Sequence, residues 1–354
     1  MRPNADSTRG WMRMDARLRD LTFDPELSPG AYNAIHVCLR LEPHERITII
    51  TDVATLEIAA CLANQVESTG AECSTFVLEE HASRPLKAMP QVILDDLPKS
   101  QVSIFAAQAQ IGELGSRGQM TRVVSQHKLR HAHMVNISKR IMVEGMRADF
   151  LKVDQLSTRL LDKARKTRLI HAVTPGGTDI VAEFSPHVPW AKTSGIITAE
   201  RWGNLPDGEI FTCPHTLDGV LVVDGVVGDY LSQEYGDLQS TPLVIQVSHS
   251  RIEHMRCSNP KLLQDFAAYV ATDENSNRVG EFAIGTNLAV KTITGNILQD
   301  EKMPGIHIAF GHPQPPHAGL DWSSTTHIDC VGRQFDIWMD DEKIMEGGKF
   351  LIPV

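Results

Sequence analysis

The sequence predicts an α/β protein with a parallel-sheet first domain over residues 1–165, followed by a β-rich (α+β) domain over residues 166–354. Two observations lead to this prediction. In the first half, short apolar runs alternate with segments of helical spacing, which is typical of βα units around a parallel sheet. From about residue 166 the texture changes to short apolar strands separated by Gly, Asp and Pro, which is typical of antiparallel sheets.

The first domain contains three cycles of this alternation. The segment "VATLEIAACLANQVES" (53–68) has apolar residues at helical spacing, and Gly70 follows it as a helix stop. A further helical segment, "SRGQMTRVVSQHKLRH", precedes the last strand of the domain. The expected strands are 46–52, 72–79, 101–108 and 132–138.

The second domain is expected to begin after the helical segment "DQLSTRLLDKARK" (154–166). Its strands are short, and turn residues separate them, so we expect hairpins rather than βα units. The strand-like phrases are "TRLIHAVT", "TDIVAEF", "GEIFTCP", "GVLVVDGVVGDYL" and "PLVIQVS".

Composition excludes several functional classes. The chain of 354 residues is 42 % hydrophobic, enough for a sizeable core, and carries a formal net charge of −10 without a basic cluster suited to nucleic acid. The phrase "TPGGTDIVAEF" has a glycine pair but lacks the rest of a phosphate-binding loop, so no nucleotide cofactor is expected.

Cysteine usage and the N-terminal sequence predict the compartment. The six cysteines are scattered without CxxC spacing, so disulfides and thiolate zinc sites are not expected. The N-terminal sequence lacks the apolar stretch of a signal peptide, and no run of about 18 apolar residues predicts a membrane span. We therefore expect a cytoplasmic protein that binds neither membrane nor nucleic acid.

Candidate metal ligands lie in the second half of the sequence. In "STTHIDC" (324–330), His327 and Asp329 would share one face of a strand, and Ile328 would point into the core. Carboxylates and imidazoles suit zinc, cobalt, manganese or iron. Further candidates are Glu209, Glu281 and His307. Together the five residues make a set suited to a pair of divalent ions, which would make the β-rich (α+β) part a metal-binding domain.

Each candidate also has an ordinary structural interpretation. Glu209 and Glu281 taken alone are surface carboxylates, and His307 between two isoleucines is a hydrogen-bonded core histidine. The long sequence separations among these residues follow no local ligand rule. The residues alone therefore leave both interpretations open.

A resemblance to a known family favours the metal site. The phrases "GTDIVAEF", "NLPDGEIFTCPHTLDGV", "GEFAIGTN", "ILQDEKMPGIHIAFG", "SSTTHIDC" and "DIWMDDEKIMEGGKFL" occur in the order found in the thermophilic-type metallo-aminopeptidases, the aminopeptidase S/T group. The resemblance covers about residues 165–350. In the first half it extends only to the βα rhythm, including "ESTGAECSTFVL".

The resemblance implies a two-ion site and a hydrolytic activity. Glu209, Glu281, His307, His327 and Asp329 would be the metal ligands, with Glu281 bridging the ions and Glu209 a ligand or proton shuttle. The ions would be Zn, Co or Mn, and metal-activated water would cleave an N-terminal residue or a related small amide. The expected substrate is a peptide or small molecule, and the expected assembly is a homodimer.

One departure concerns a tyrosine that the family places seven residues after the histidine of its "HIALG" phrase. This chain has Gln314 there, inside the proline-rich "GHPQPPH". His312 and His317 lie nearby and are candidates for its replacement. The chain is also shorter than typical family members, mostly in the first half.

The 2,5-dihydroxypyridine dioxygenases resemble the same family and provide an alternative. They hold one Fe(II) ion with a glutamate, a histidine and an aspartate, the last two in a phrase like His327–Asp329. The presence of His307 opposes this alternative, as does a first-domain loop that offers Gln108 and Gln110 where the branch has a base histidine. His131 and His133 lie nearby, but nothing in the sequence ties them to the site. A third interpretation is a family member that binds metal without turnover.

Overall fold

The structure, a computed structural model, describes residues 16–315 and 319–353. Its described residues form two compact units, one up to residue 151 together with 195–207, and the other over 152–194 and from residue 208 onward. The compact units divide between residues 151 and 152, inside a helix. The domain boundary expected at 165/166 stays a prediction. In the described ranges, no helix combines the length and apolar character needed to span a bilayer.

Helices and strands follow one another through the described chain. The helices are α1 (Ala16–Asp20), α2 (Ser28–Tyr32), α3 (Leu56–Thr69), α4 (Gln91–Asp96), α5 (Leu114–Gln126), α6 (Lys139–Val143), α7 (Phe150–Ala164), α8 (Asp229–Tyr235), α9 (Pro260–Tyr269) and α10 (Ile297–Asp300). The strands are β1 (Arg46–Thr51), β2 (Glu72–Val77), β3 (Val102–Ala106), β4 (Arg130–His133), β5 (Leu169–Val173), β6 (Asp179–Glu183), β7 (Ala191–Thr193), β8 (Gly203–Asn204), β9 (Glu209–Thr212), β10 (Thr216–Val223), β11 (Leu243–Ser248), β12 (Arg251–Arg256), β13 (Val279–Gly285), β14 (Gly305–Gly311), β15 (His327–Val331), β16 (Asp336–Met339), β17 (Glu342–Glu346) and β18 (Lys349–Phe350).

The first unit is built on a parallel sheet, as the βα rhythm predicts. Its five strands lie in the order β2-β1-β3-β4-β8. Apolar side chains from the strands and from helices α4 and α5 form a core on this sheet, including Ile50, Phe105 and Met120. Strand β4 ends earlier than expected, because Asn136 turns the chain with φ of 60° and its side chain accepts the Ala109 backbone N–H.

The second unit consists of two antiparallel sheets that share one apolar core. The eight-stranded sheet has the order β12-β11-β10-β6-β5-β16-β17-β18, and the five-stranded sheet has the order β15-β14-β13-β9-β7. Helices α7 and α9 contribute Leu156, Leu160 and Phe266 to this core. Together the two units confirm the predicted fold class, a parallel-sheet α/β part and a β-rich (α+β) part.

The phrase "GVLVVDGVVGDYL" is an exception to the strand predictions. Strand β10 ends at Val223, and the last residues of the phrase belong to α8 instead. Gly228 turns the chain into this helix with φ of 51°. A Cβ atom at Gly228 would lie 2.7 Å from Cγ1 of Ile328, so the turn packs against the strand that carries His327 and Asp329.

Candidate metal site

The five-stranded sheet of the second unit brings the five predicted ligands together. Glu209 lies on β9, Glu281 on β13, His307 on β14, and both His327 and Asp329 on β15. The order of these strands in the sheet is β15-β14-β13-β9, so the four strands are neighbours. We call the five residues the acid–imidazole cluster.

Strand register places the whole cluster on one face of the sheet. Ala309 pairs with Asp329 on one side and with Glu281 on the other, while Ala283 pairs with His307 and Gly285 with Glu209. Because alternate residues of a strand share a face, small side chains lie between the ligands. The residues on the opposite face are apolar and buried: Ile210, Phe282, Ile284, Ile306, Ile308, Phe310, Ile328 and Cys330.

Distances within the cluster are short. Nε2 of His327 lies 3.4 Å from an oxygen of Glu281 and 3.4 Å from Oδ1 of Asp329. Nε2 of His307 lies 3.6 Å from Oε2 of Glu209 and 3.9 Å from oxygens of both Glu281 and Asp329. Each imidazole is therefore surrounded by carboxylates.

Backbone carbonyl groups hold both imidazoles by their other nitrogen. Nδ1 of His307 lies 3.0 Å from the Glu301 carbonyl oxygen, and Nδ1 of His327 lies 3.0 Å from the His312 carbonyl oxygen. A carbonyl only accepts, so each Nδ1 carries the donated proton. This hydrogen bond fixes the tautomer in which Nε2 of the neutral ring has a free lone pair for a cation.

Sequence reasoning missed Lys302 and Glu301. The Nζ of Lys302 lies 2.7 Å from Oε1 of Glu209 and 2.6 Å from Oε1 of Glu301, and its side chain is 2 % exposed. Both residues stand in the polar run "QDEK" (299–302), which in sequence is typical of a solvated loop. The depth at which these charges are buried depends on tertiary packing and has no local signal.

The carboxylates raise the proton affinity of both imidazoles. Burial lowers the pKa of His307, but Glu281 and the charges of Glu209 and Asp329 outweigh burial and raise this pKa to about 9. Burial also lowers the pKa of His327, and Asp329 and Glu281 raise it well above its ordinary value. In the metal-free chain both rings therefore carry a second proton at neutral pH.

The acidic groups shift in a corresponding way. Burial raises the pKa of Glu281, but the two imidazoles outweigh burial and hold it below its usual range. The same competition leaves the pKa of Asp329 low, with His327 the main partner. Burial raises the pKa of Glu301 to about 8, and Lys302 only partly counteracts this shift.

The donor set fits a divalent cation. Three groups place one donor atom from each member within 4.8 Å of one another, and they are Glu209–Glu281–His307, Glu281–His327–Asp329 and Glu301–His307–Asp329. Oε2 of Glu209 is buried and has no hydrogen-bond partner, a state that normally costs about 1–3 kcal/mol. A cation at the first group would satisfy this atom, and carboxylate oxygen with imidazole nitrogen suits zinc, manganese, cobalt or iron.

Hydrogen bonds from outside the cluster hold the start of β15 in place. The Asp273 carboxylate accepts from the hydroxyl group of Ser324 and from the backbone N–H and hydroxyl group of Thr325. The Tyr269 hydroxyl group donates to the His327 carbonyl oxygen at 3.1 Å. Hydrogen bonds to Asp273 therefore hold the polar segment "STT", which precedes His327, and this segment supports the start of the strand.

Gly285 permits the close approach of the segment that carries Glu301 and Lys302. A Cβ atom at Gly285 would lie 2.1 Å from the Met303 carbonyl oxygen, which is backbone. We expect Gly285→Ala to displace this segment, to destabilise the protein by about 1–3 kcal/mol, and to weaken metal binding. Thermal unfolding and a metal titration measure the two effects. Gly115→Ala is the control, because nothing lies within 4 Å of a Cβ atom there; equal behaviour of the two variants would refute the prediction.

The candidates for the missing tyrosine have different positions. Gln314 is bonded through its backbone N–H to the Gly280 carbonyl oxygen at 3.0 Å. His312 provides the carbonyl group that holds His327, and its own Nδ1 is buried without a hydrogen-bond partner. His317 lies outside the described residues.

The histidines of the first unit are internal. His131 and His133 are buried, and their rings are bonded to each other across 3.3 Å. Nδ1 of His131 also lies 2.8 Å from the Ser103 hydroxyl oxygen, and burial lowers the pKa of His131 to about 3. Gln108 donates its side-chain amide to the Ile137 carbonyl oxygen. Ser103, His131 and His133 form a polar network in the first unit, and Gln108 is bonded to the backbone of the same unit.

Comparison with known proteins gives a match to one family. Residues 152–327 match the family described as thermophilic metalloprotease (M29), a range that includes four of the five cluster residues and ends before Asp329. No curated protein matches the sequence.

Two solved structures are similar over almost the whole chain. AmpT from Thermus thermophilus has a TM-score of 0.69 and 16% identity, over 94% of this chain and 100% of that one. The 2,5-dihydroxypyridine dioxygenase from Pseudomonas putida KT2440 has a TM-score of 0.67 and 13% identity, over 92% of this chain and 97% of that one. At these identities the likeness shows the fold alone.

Proposed function

Because residues 152–327 match the thermophilic metalloprotease (M29) family, we propose that the protein is a metal-dependent, aminopeptidase-like hydrolase. Its substrate would be a peptide, or a related small amide, with a free N-terminal residue. The observation that carries this proposal is the convergence of the five ligand-type residues on one face of a single sheet. The family implies a divalent metal, and we propose Zn, Co or Mn as its identity.

The residues that would hold the metal are those of the acid–imidazole cluster. Glu281 belongs to two of the three donor groups, so it is the residue best placed to contact more than one cation position. When bound, a divalent cation supplies a Lewis acid for the substrate carbonyl and lowers the pKa of a bound water.

The chain's own residues supply the proton transfer and the substrate charge selection. Oε1 of Glu209 is held by Lys302 and by the Thr193 hydroxyl group at 3.3 Å, which leaves Oε2 as the atom that can accept a proton. The concentration of carboxylates attracts a positively charged group, so a free α-ammonium group on the substrate is favoured over a blocked one.

A paired-substrate assay tests the activity. Purified protein, reconstituted in turn with Zn²⁺, Co²⁺ and Mn²⁺, is incubated with a set of short peptides and with the same peptides N-acetylated. We expect release of the N-terminal residue from the free peptides, and release at least about 100-fold slower from the acetylated peptides. Glu209→Gln should lose turnover, whereas Glu253→Gln, at an exposed strand position, should not. Absence of hydrolysis with every metal, or cleavage at internal bonds, would overturn the proposal.

A mononuclear Fe(II) ring-cleaving dioxygenase of the 2,5-dihydroxypyridine type is the second candidate. The group Glu281–His327–Asp329 alone supplies enough donors for one iron with open positions, which favours this candidate. The burial of His131 and His133 inside the first unit opposes it, because neither ring is available as a base. Oxygen uptake by the anaerobically purified, Fe²⁺-loaded protein on dihydroxypyridines distinguishes it from the hydrolase.

The remaining features expected from the sequence are also proposals. We propose a homodimer in the cytoplasm that binds neither nucleic acid nor membrane. The free state of all six cysteines is consistent with a reducing compartment. Light scattering of the purified protein tests the dimer.

A further inference from the structure

A buried ammonium group lies beside part of the metal site. Lys302 is 2 % exposed, and its Nζ contacts Glu209 at 2.7 Å and Glu301 at 2.6 Å. An ion pair this deep is much less screened by solvent than a surface pair. The ammonium therefore already neutralises the charge of the Glu209 carboxylate, which a cation would otherwise use.

The contacts of Lys302 divide the three donor groups into two kinds. The group Glu209–Glu281–His307 includes one carboxylate that is bonded to Lys302, and the group Glu301–His307–Asp329 includes the other. The group Glu281–His327–Asp329 includes neither. A divalent cation on either of the first two groups would share a carboxylate with the ammonium and be repelled by it.

We propose that Lys302 takes the place of a second divalent cation, so that the chain binds one ion tightly, on Glu281–His327–Asp329. A second ion, on the Glu209 side, binds at least about 100-fold more weakly because of the like charge. This inference rests on the proposed function for the existence of the metal site, and it adds how many ions that site holds. Glu209 is then free to act through Oε2 as a proton acceptor.

The stoichiometry of the wild-type protein is the first test. Metal-free protein is titrated with Zn²⁺ and with Mn²⁺ at pH 8, and binding is followed by calorimetry and native mass spectrometry. One tight ion per chain is expected. Two ions of similar affinity would overturn the inference and leave the hydrolase proposal intact, whereas absence of tight binding would overturn both.

Replacement of the ammonium is the second test. Lys302→Met, which keeps the length of the side chain and removes its charge, is expected to raise the stoichiometry from one tight ion to two. Lys343→Met is the matched control, because Lys343 also bridges two carboxylates, Asp336 at 2.9 Å and Glu346 at 2.7 Å, outside the cluster. Replacing a lysine with only a structural role would not increase the number of bound ions. If Lys302→Met still binds one tight ion per chain, the proposed role of Lys302 is refuted.

Two variants separate the cation positions, and a third allows for poor folding. His307→Ala should keep one tight ion, whereas His327→Ala should lose it. The reverse result would show that the tight ion does not bind at Glu281–His327–Asp329 and would overturn the inference. Lys302→Gln is neutral but can still donate a hydrogen bond, so it replaces Lys302→Met if the methionine variant does not fold. It should also gain the second ion.

Discussion

Glu281→Gln is expected to release the bound cation and abolish turnover while the protein stays folded. Glu281 lies at the centre of the sheet, and its carboxylate belongs to both Glu209–Glu281–His307 and Glu281–His327–Asp329. The amide keeps the shape of the side chain but removes the negative charge between two imidazoles. We expect an affinity loss greater than the roughly 10–100-fold produced by changes in a ligand's outer partners.

Elemental analysis and circular dichroism together measure this effect. The variant should lack metal after gel filtration and keep a far-ultraviolet spectrum like that of the unmodified protein. Glu253→Gln, which makes the same chemical change at an exposed strand position, is the control and should retain its metal. A Glu281→Gln protein that holds a full complement of metal would show that the acid–imidazole cluster is not the site.

Within one strand, the sequence was sufficient to predict the arrangement. His327, Ile328 and Asp329 alternate, and the structure buries Ile328 in the core while both polar residues approach Glu281 and His307. This is a local property of extended backbone, so the two-residue period reveals it without a partner strand.

Between strands, the residues alone were not sufficient. The proximity of Glu209 to His307 depends on β13 lying between β9 and β14 and on its register, which places Gly285 opposite Glu209 and Ala283 opposite His307. Such pairings join segments about 20–70 residues apart, and no local pattern specifies them. The set of five was therefore obtained from the family resemblance.

The sequence did not identify Lys302 and Glu301 as residues of the site, although the phrase "ILQDEKMPGIHIAFG" that contains them contributed to the family resemblance. Charged side chains in a polar run such as "QDEK" (299–302) are normally exposed. What buries these two is the close packing of their segment on Gly285, where even one methyl group would overlap the Met303 carbonyl. The glycine is visible in the sequence, but the chain that packs against it is not.

Metal binding is expected to be strongly pH-dependent and to release protons. In the metal-free chain the pKa of His307 is raised to about 9 and that of His327 is also well above its ordinary value, so both rings are protonated at pH 7. A cation binds only the neutral ring, so every displaced proton makes the affinity rise about tenfold per pH unit. The affinity should therefore increase between pH 6 and pH 8.

The stability of the metal-free protein should follow the opposite trend. A pKa that is higher in the folded than in the unfolded chain contributes stability that is fully present below the unfolded value of about 6.5. That contribution is lost as the pH rises through the folded value, here about 9 for His307. Without metal, the melting temperature should fall between these pH values, because the carboxylates lose their protonated partners. With metal bound, the melting temperature should fall less, or should rise, over the same pH range.

Calorimetry in buffers of different ionisation enthalpy counts the released protons directly. At pH 7 we expect about one released proton for each imidazole that binds an ion, and neither tight binding nor proton release in His327→Gln. His171→Gln is the control, because His171 is half-exposed beside Asp179, outside the acid–imidazole cluster. An affinity that is constant from pH 6 to pH 8, or binding without proton release, would mean that the imidazoles are already neutral. The carboxylates would then not raise the proton affinity of the two imidazoles.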